Sequence, residues 1–290
     1  MASEMQLKPP DIDKINSNTT QLSIVLLTWN SERYIQRCIE SIILNLSDID
    51  YKWEAIIVDN GSQDGTVSFL KKLSLDNPDL FFIHLLSSNC GTTVSRNIAL
   101  GKAKGKFIAI VDSDIEFTGN IFTPLMEILE TDDSIGLITP KIFYPSGRWQ
   151  KSYDKFPTIF QKINRFFRLK TIENREQSEK TNNGLKYVDY AISAFWLFRR
   201  TLLDKVGLLD EKIFYSPEDV DYCLRVWKAG YSIIHNADCS VIHHCQEISR
   251  GWKINKAKFH HMAGLCYFLL KHRYFFNAPV FAKKNITHTL

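Results

Sequence analysis

From Gln21 to Phe117, short apolar runs alternate with segments of helical spacing, and a polar cluster closes each apolar run. Leu22-Ser23-Ile24-Val25-Leu26-Leu27 ends at Thr28-Trp29-Asn30. Ile35, Cys38, Ile39, Ile42, Ile43 and Leu46 then recur at helical spacing, which predicts a helix over Tyr34 to Leu46 with Ser31 as its N-cap. Glu54 to Val58 is a second strand, closed by Asp59-Asn60-Gly61-Ser62, and a helix is expected over Val67 to Leu73. Phe81 to Leu86 leads into Asn89-Cys90-Gly91, Thr93 to Lys102 reads as helix, and Phe107 to Val111 runs into Asp112-Ser113-Asp114. Strands that are apolar throughout, separated by helices, predict a mostly parallel sheet covered on both faces. In such a sheet the clusters at Thr28, Asp59, Asn89 and Asp112 all follow carboxyl ends of strands and converge on one rim, where open α/β sheets bind ligands.

The second half is less regular. Gly136 to Phe143 is one more strand, Tyr187 to Arg199 is apolar and aromatic, and Arg200 to Gly207 reads as a short helix. Ser216-Pro217-Glu218-Asp219 opens an amphipathic helix carrying Val220, Cys223, Leu224, Val226 and Trp227, with Gly230 closing it. Tyr231 to His235 and Ser240 to His243 are the final strand candidates, and Lys170 to Gly184 is a polar stretch expected to be a mobile loop.

Composition narrows the function. With 290 residues, 44% of them hydrophobic, the chain can bury a sizeable core, and a net charge of +4 implies no general polyanion-binding surface and no nucleic-acid partner. The charge is unevenly placed: no Asp or Glu follows Glu247, whereas Arg250, Lys253, Lys271, Arg273 and Lys284 do. Such a cationic end suits an anionic membrane surface or a phosphate-bearing acceptor, or else a solvated tail. Six scattered cysteines without a Cys-x-x-Cys pair argue for a reducing compartment. Cys239, His243, His244 and Cys245 fit no common zinc module. The polar N-terminus has no leader-like pattern, and no apolar run reaches the ~20 residues that span a bilayer, so a cytoplasmic location is expected. Phe156, Phe160, Phe166 and Phe167, set among basic residues, and the stretch from Phe259 to Phe276 read either as membrane-facing pieces or as helices packed on the core.

Asp112 and Asp114 supply the oxygen ligands that hard divalent cations prefer, although an isolated Asp-x-Asp reads equally as a solvated turn. Neither a Gly-x-Gly-x-x-Gly nor a Gly-x-x-x-x-Gly-Lys-Ser/Thr loop is present. A phosphate pocket without such a loop needs another way to neutralise charge, and a metal on the Asp pair provides it.

The stretches SIVLLTWN, AIIVDNGSQDGT, NCGTTVSRN, FIAIVDSDIEF, FWLFRRTLLDKVGLLDEKIF, SPEDVDYCLRVWKAGY and VIHH, in this order from Leu22 to His244, resemble family 2 glycosyltransferases of the GT-A fold, nearest to rhamnosyltransferase-like members of cell-surface polysaccharide synthesis. The resemblance implies an α/β GT-A fold with a Rossmann-like, mostly parallel sheet. Its divisions would be a flexible tail over 1–20, a nucleotide-sugar-binding half over 21–117, an acceptor-binding half over 118–247 and a basic helical extension over 248–290. It implies inverting transfer from a nucleotide-diphosphate sugar, UDP- or dTDP-linked, to a glycan or lipid-linked acceptor at the inner membrane face, with Mn²⁺ or Mg²⁺. The alternative is a catalytically silent sugar-nucleotide-binding scaffold.

Carried over by position, the resemblance places Thr28, Asn30, Glu32, Asp59, Asn60, Arg96 and Ser113 around the nucleotide sugar, with Trp196 against the sugar; Arg96 reads equally as a structural ion pair and Trp196 equally as core. Asp112 faces the ribose or a metal-bound water, and Asp114 holds the metal. His243 or His244 adds a ligand, with His243 favoured. Asp219 is the expected general base, with Glu218 the alternative; both acids would also favour any helix N-terminus. Ser193-Ala194 stands where the family often has glycine.

Overall fold

The computed structural model describes residues 19–158, 184–245, 256–275 and 277–281. Most of the expected N-terminal tail, the polar stretch after Lys170, Phe160, Phe166 and Phe167, and much of the basic C-terminal region lie outside these residues.

β1 (Leu22–Thr28), β2 (Trp53–Asp59), β3 (Phe81–Leu85) and β4 (Phe107–Asp112) form the parallel half of one sheet, in the order β3-β2-β1-β4. Each is connected to the next by a helix: α1 (Ile35–Asn45), α2 (Thr66–Asp76) and α3 (Thr92–Leu100). Parallel neighbours need such crossovers, and covering both faces explains why the strands are apolar at nearly every position. β5 (Ile115–Phe117) and α4 (Phe122–Thr131) follow; α4 buries Phe122, Leu125 and Leu129, and the hydrophobic pattern does not foretell it.

The sheet continues through β6 (Ile135–Phe143), with β7 (Trp149–Gln150) hydrogen-bonded beside it and β8 (Tyr153–Asp154) leaving it for a separate two-stranded ribbon. The apolar stretch from Tyr187 to Arg199 divides into β9 (Leu185–Tyr187), β10 (Tyr190–Ala191) and β11 (Phe195–Arg199). β11 inserts antiparallel between β4 and β6, which joins the two halves of the sheet. α5 (Thr201–Val206) and α6 (Glu218–Lys228) follow, then β12 (Ser232–His243), then α7 (Lys256–His272). The two final strand candidates are a single strand with an irregularity between Asn236 and Ser240, so that backbone hydrogen bonding resumes on the same partner β6.

β6 and β12 are parallel, and β4, β11 and β6 are successive antiparallel neighbours, so β3, β2, β1, β4, β6 and β12 share one direction. Their carboxyl ends therefore meet on one rim. Thr28 is in register with Asp59, Leu27 with Asp112, and His243 with Ile115, the residue after Asp114. One apolar cluster packs α1 and α4 on one face of the sheet; a second packs α3, α6 and residues Phe268 and Leu269 of α7 on the other.

One cap is corrected. Ser31 does not cap α1 through its side chain: its carbonyl accepts the Tyr34 and Ile35 amides at 2.8 and 2.9 Å, while its hydroxyl meets that of Ser113 at 2.8 Å. The hydroxyl is drawn to the rim because β1 and β4 are adjacent.

Candidate functional site

The rim is built from loops that hold one another. Asn30 has φ of 49°, a left-handed conformation that asparagine tolerates. Its Oδ1 accepts the Gln63 amide at 2.8 Å, and Glu32 accepts the Gly65 amide at 3.0 Å. Both side chains thus tie the β1 loop to the β2 loop. Asp59 is 1% exposed and accepts the amide of Ser62 at 2.9 Å and its hydroxyl as well, which closes the β2 loop on itself. Asn60 reaches the third loop, donating to Asn89 Oδ1 at 3.0 Å and accepting from the Cys90 amide at 2.9 Å. Thr28 Oγ1 is buried at this rim and has no partner among the described residues.

Beyond β4, the carboxylates of Asp112 and Asp114 and the imidazole of His243 place ligand atoms within 4.8 Å of one another. His243 Nε2 lies 3.1 Å from Asp114 Oδ1, and Nδ1 lies 3.0 Å from Gln150 Oε1. The Gln150 oxygen can only accept, so Nδ1 carries a proton and Nε2 is the atom turned to the carboxylates. Burial opposes charge on His243, but the hydrogen bond and charge of Asp114 outweigh it and push its pKa up to about 11. Burial raises the Asp112 pKa, with Arg96 acting against it and Asp114 adding to it. Two carboxylates and one imidazole are a fitting donor set for Mn²⁺, and without the imidazole for Mg²⁺. His244 is not part of this group: its Nε2 lies 2.6 Å from Glu116 Oε2, and only its backbone amide reaches Asp114, at the carbonyl.

Arg96 connects this corner to the acidic turn of α6. Its side chain is 3% exposed; Nη2 donates to Asp112 Oδ1 at 2.5 Å and Nη1 to Glu218 Oε1 at 3.2 Å. Ser193 supports both, accepting from Arg96 Nη1 at 2.7 Å and donating to Glu218 Oε1 at 3.0 Å. Burial and the neighbouring Asp219 raise the Glu218 pKa, while Arg96 and Ser193 oppose the rise. Asp219 is half-buried, with Oδ1 2.8 Å from the Val220 amide.

Residues 23–207 match the family model described as Glycosyl transferase family 2. The chain belongs to this family. Over 280 residues it is 22% identical to the N-acetylglucosaminyl-diphospho-decaprenol L-rhamnosyltransferase of Mycobacterium tuberculosis, covering 90% of this chain and 88% of that one. Over 120 residues it is 30% identical to the uncharacterized glycosyltransferase YibD of Escherichia coli, covering 40% of this chain and only 33% of YibD. Among solved structures it resembles GalNAc-T7 with UDP, GalNAc and Mn²⁺, at a TM-score of 0.64 and 17% identity, covering 88% of this chain and 48% of that one. It also resembles the mannosyltransferase PcManGT from Pyrobaculum calidifontis with GDP-Man and Mn²⁺, at 0.61 and 18%, covering 94% and 69%. These likenesses show a GT-A-like fold.

In this glycosyltransferase the rim brings together Thr28, Asp59, Asn60, Ser113, Asp112, Asp114 and His243, and Arg96 adds Glu218 from the other half. Of the two readings of Trp196 the structure takes the core one: it is 0% exposed, stacks on Tyr222 at 5.6 Å and donates its indole N–H to the Ala191 carbonyl at 3.2 Å. Strand alternation decides this, since Trp196 on β11 faces the α6 side. Ser193, which stands where the family often has glycine, and Gln150, which no motif marks, both have a partner in the site. No local signal marks them, because each acts on residues distant in sequence. No helix among the described residues is long and apolar enough to cross a membrane, and α7 buries Phe268 and Leu269 against the core.

Proposed function

We propose that this chain is a metal-dependent inverting glycosyltransferase that moves a sugar from a nucleoside-diphosphate sugar to a hydroxyl of a glycan or lipid-linked acceptor. The observation that carries the reading is the Asp112/Asp114/His243 group sharing Arg96 with the acidic turn Glu218-Asp219. Asp112, Asp114 and His243 would hold the cation, which when bound supplies neutralising charge beside the diphosphate leaving group. The unpartnered Thr28 hydroxyl and the ordered loops around Asp59 and Asn60 form the nucleotide side of the pocket.

Asp219 is the residue assigned to the proton. It is partly accessible and sits in the first turn of α6, whereas Glu218 is sealed against Arg96 and Ser193. As the acceptor oxygen bonds to the anomeric carbon, its proton passes to Asp219 and the carbon–oxygen bond to the diphosphate breaks, with the electron pair leaving on the nucleoside diphosphate. Glu218 holds Arg96 and, through it, Asp112 in place.

The match over most of the mycobacterial L-rhamnosyltransferase supports an L-rhamnose-type donor and a diphospho-lipid acceptor. The test is turnover with UDP-, dTDP- and GDP-sugars and diphospho-lipid acceptors, with and without Mn²⁺ or Mg²⁺, reading the anomeric configuration of the product. Metal-dependent transfer with inversion is expected. Retention of configuration, or transfer unaffected by chelation, would overturn the mechanism.

A further inference from the structure

The acidic turn is held from two sides, and only one belongs to the donor half. Residues Ile213–Pro217, which lead into Glu218, lie against the start of α3: the Thr92 amide donates to the Phe214 carbonyl at 2.7 Å, and the Thr93 hydroxyl to the Ile213 carbonyl at 2.8 Å. Gly91 is required there, since a Cβ would lie 2.5 Å from the Phe214 carbonyl oxygen and 2.8 Å from its ring. α3 also carries Arg96, so this side fixes the turn relative to Asp112.

The other side is α7. Its Gly264 backs directly onto Ser216: a Cβ at 264 would collide with the Ser216 carbonyl oxygen and sit 3.2 Å from Pro217 Cδ. One turn earlier, His261 Nδ1 lies 2.8 Å from Ser216 Oγ, and the His260 ring stacks on Phe214 at 4.5 Å. Two turns later, Lys271 Nζ donates to Asp210 Oδ2 and Asp221 Oδ1, each at 2.6 Å. Lys228 Nζ, which can only donate, lies 2.9 Å from His272 Nδ1, so His272 Nε2 carries the proton that reaches Asp221 Oδ1 at 2.8 Å. Asp221 is 1% exposed and also accepts from Arg225 Nε at 2.9 Å. Both ends of the Ser216–Asp221 turn are thus tied to one C-terminal helix.

We infer that α7 is a positioning element for the proton-accepting turn: Gly264 and His261 set the approach of Ser216-Pro217, while Lys271 and His272 anchor α6 through Asp221, so that Asp219 meets the acceptor at reacting distance. The inference rests on the transfer reading above. Asp221, two residues beyond Asp219, has its carboxylate consumed by three cationic or donor groups and serves as the anchor. A buried pair of this kind is costly to break from one side, because the remaining charge is left without compensation. Displacement of the turn by about 1 Å is expected to cost about 10²-fold in turnover while leaving the donor pocket on β1–β4 intact.

The experiment uses the full chain with Gly264→Ala, Lys271→Met, Lys271→Arg and, on the exposed face of α7, Met262→Ala as a control. Donor-side integrity is read as the dissociation constant of a nucleoside diphosphate with Mn²⁺, and turnover as kcat at saturating donor. Amide hydrogen exchange over residues 210–221 gives a third readout that needs no turnover. Expected for Gly264→Ala and Lys271→Met are a kcat lowered by about 10²-fold, a dissociation constant within about twofold of the parent, and faster exchange confined to 210–221. Lys271→Arg restores much of kcat, and Met262→Ala changes nothing. Unchanged exchange and kcat in the folded variants would overturn the inference. Loss of donor binding in parallel with kcat would overturn it too, since that is a general structural effect. Should Gly264→Ala fail to fold, the Lys271 pair carries the same comparison. If the parent transfers no sugar, the transfer reading fails by itself, and the exchange pattern still reports whether α7 holds the turn.

Discussion

Arg96 and Glu218 meet at 3.2 Å with side chains only 3% and 8% exposed, although one stands on α3 and the other in the first turn of α6. A guanidinium presents several donors in a rigid fork. Arg96 uses that fork to hold Asp112 with one nitrogen and Glu218 with the other, and so joins the end of β4 to the acidic turn.

Arg96→Leu is expected to lower unfolding stability by about 3 kcal/mol, because it leaves Asp112 and the buried Glu218 without their shared hydrogen-bond donor and drives Glu218 to take up a proton. Urea denaturation measures this. Adding Glu218→Gln should recover part of the loss, since the neutral amide needs no guanidinium partner and no proton uptake. An additive double variant would show that the pair is not coupled.

Separating the two acids needs a kinetic comparison. Asp219→Asn should reduce kcat by about 10²- to 10⁴-fold, the range of a removed general base, with nucleoside diphosphate binding retained. Glu218→Gln should instead weaken donor and metal binding, because it loosens Arg96 and Asp112. Normal turnover by Asp219→Asn would remove it from the proton-transfer role.

Metal affinity should rise with pH. In the metal-free chain, Asp114 keeps His243 protonated up to about 11, and a cation taking the Nε2 lone pair must displace that proton. Calorimetric titration with Mn²⁺ in buffers of different ionisation enthalpy should show proton release. His243→Ala should abolish it, and Asp114→Ala should remove the metal-dependent part of the gain in melting temperature produced by nucleoside diphosphate.

Trp196→Ala is expected to cost about 3–5 kcal/mol of stability by opening a cavity beside Tyr222. Donor affinity in the folded fraction should stay unchanged. A fall in sugar-nucleotide affinity larger than the loss of folded protein would return Trp196 to the binding site.

Acid should loosen α7 from α6 before the sheet melts. Burial opposes ionisation of Asp221, but His272, Lys271 and Arg225 together bring its pKa down from 3.8 to about 2. A depressed carboxylate contributes stability that is complete above its unfolded value near 4 and is lost as pH falls through 2, here about 2 kcal/mol. Near-ultraviolet circular dichroism between pH 5 and 2, compared with Asp221→Asn, reads this; the variant should lack the transition.

The strand-and-helix order from Leu22 to Asp112, the rim formed by Thr28, Asp59 and Asp112, and the family motifs were legible in the sequence. Short-range periodicity and strand-end polarity carry those signals, and parallel pairing needs only regular βαβ connections. Which residues serve the site was less legible. Asn30, Glu32 and Asp59 look like ligand contacts because they are polar and stand at strand ends, yet Asn30 and Glu32 reach across to the β2 loop and Asp59 closes its own loop through Ser62. Trp196 and Tyr222 face each other only after β11 has inserted antiparallel beside β4. The choice of His243 over His244 depends on which ring turns toward Asp114 at the end of β12, and Gln150 reaches that ring from a two-residue strand far away in the chain. The β1–β4 sheet and the two acidic motifs could be read from residue order alone, because they are local patterns of strands and one helix start. That Arg96 and Ser193 couple them and that α7 contacts the second emerged from the packed fold, because burial and long-range pairing arise only when the halves of the sheet are packed.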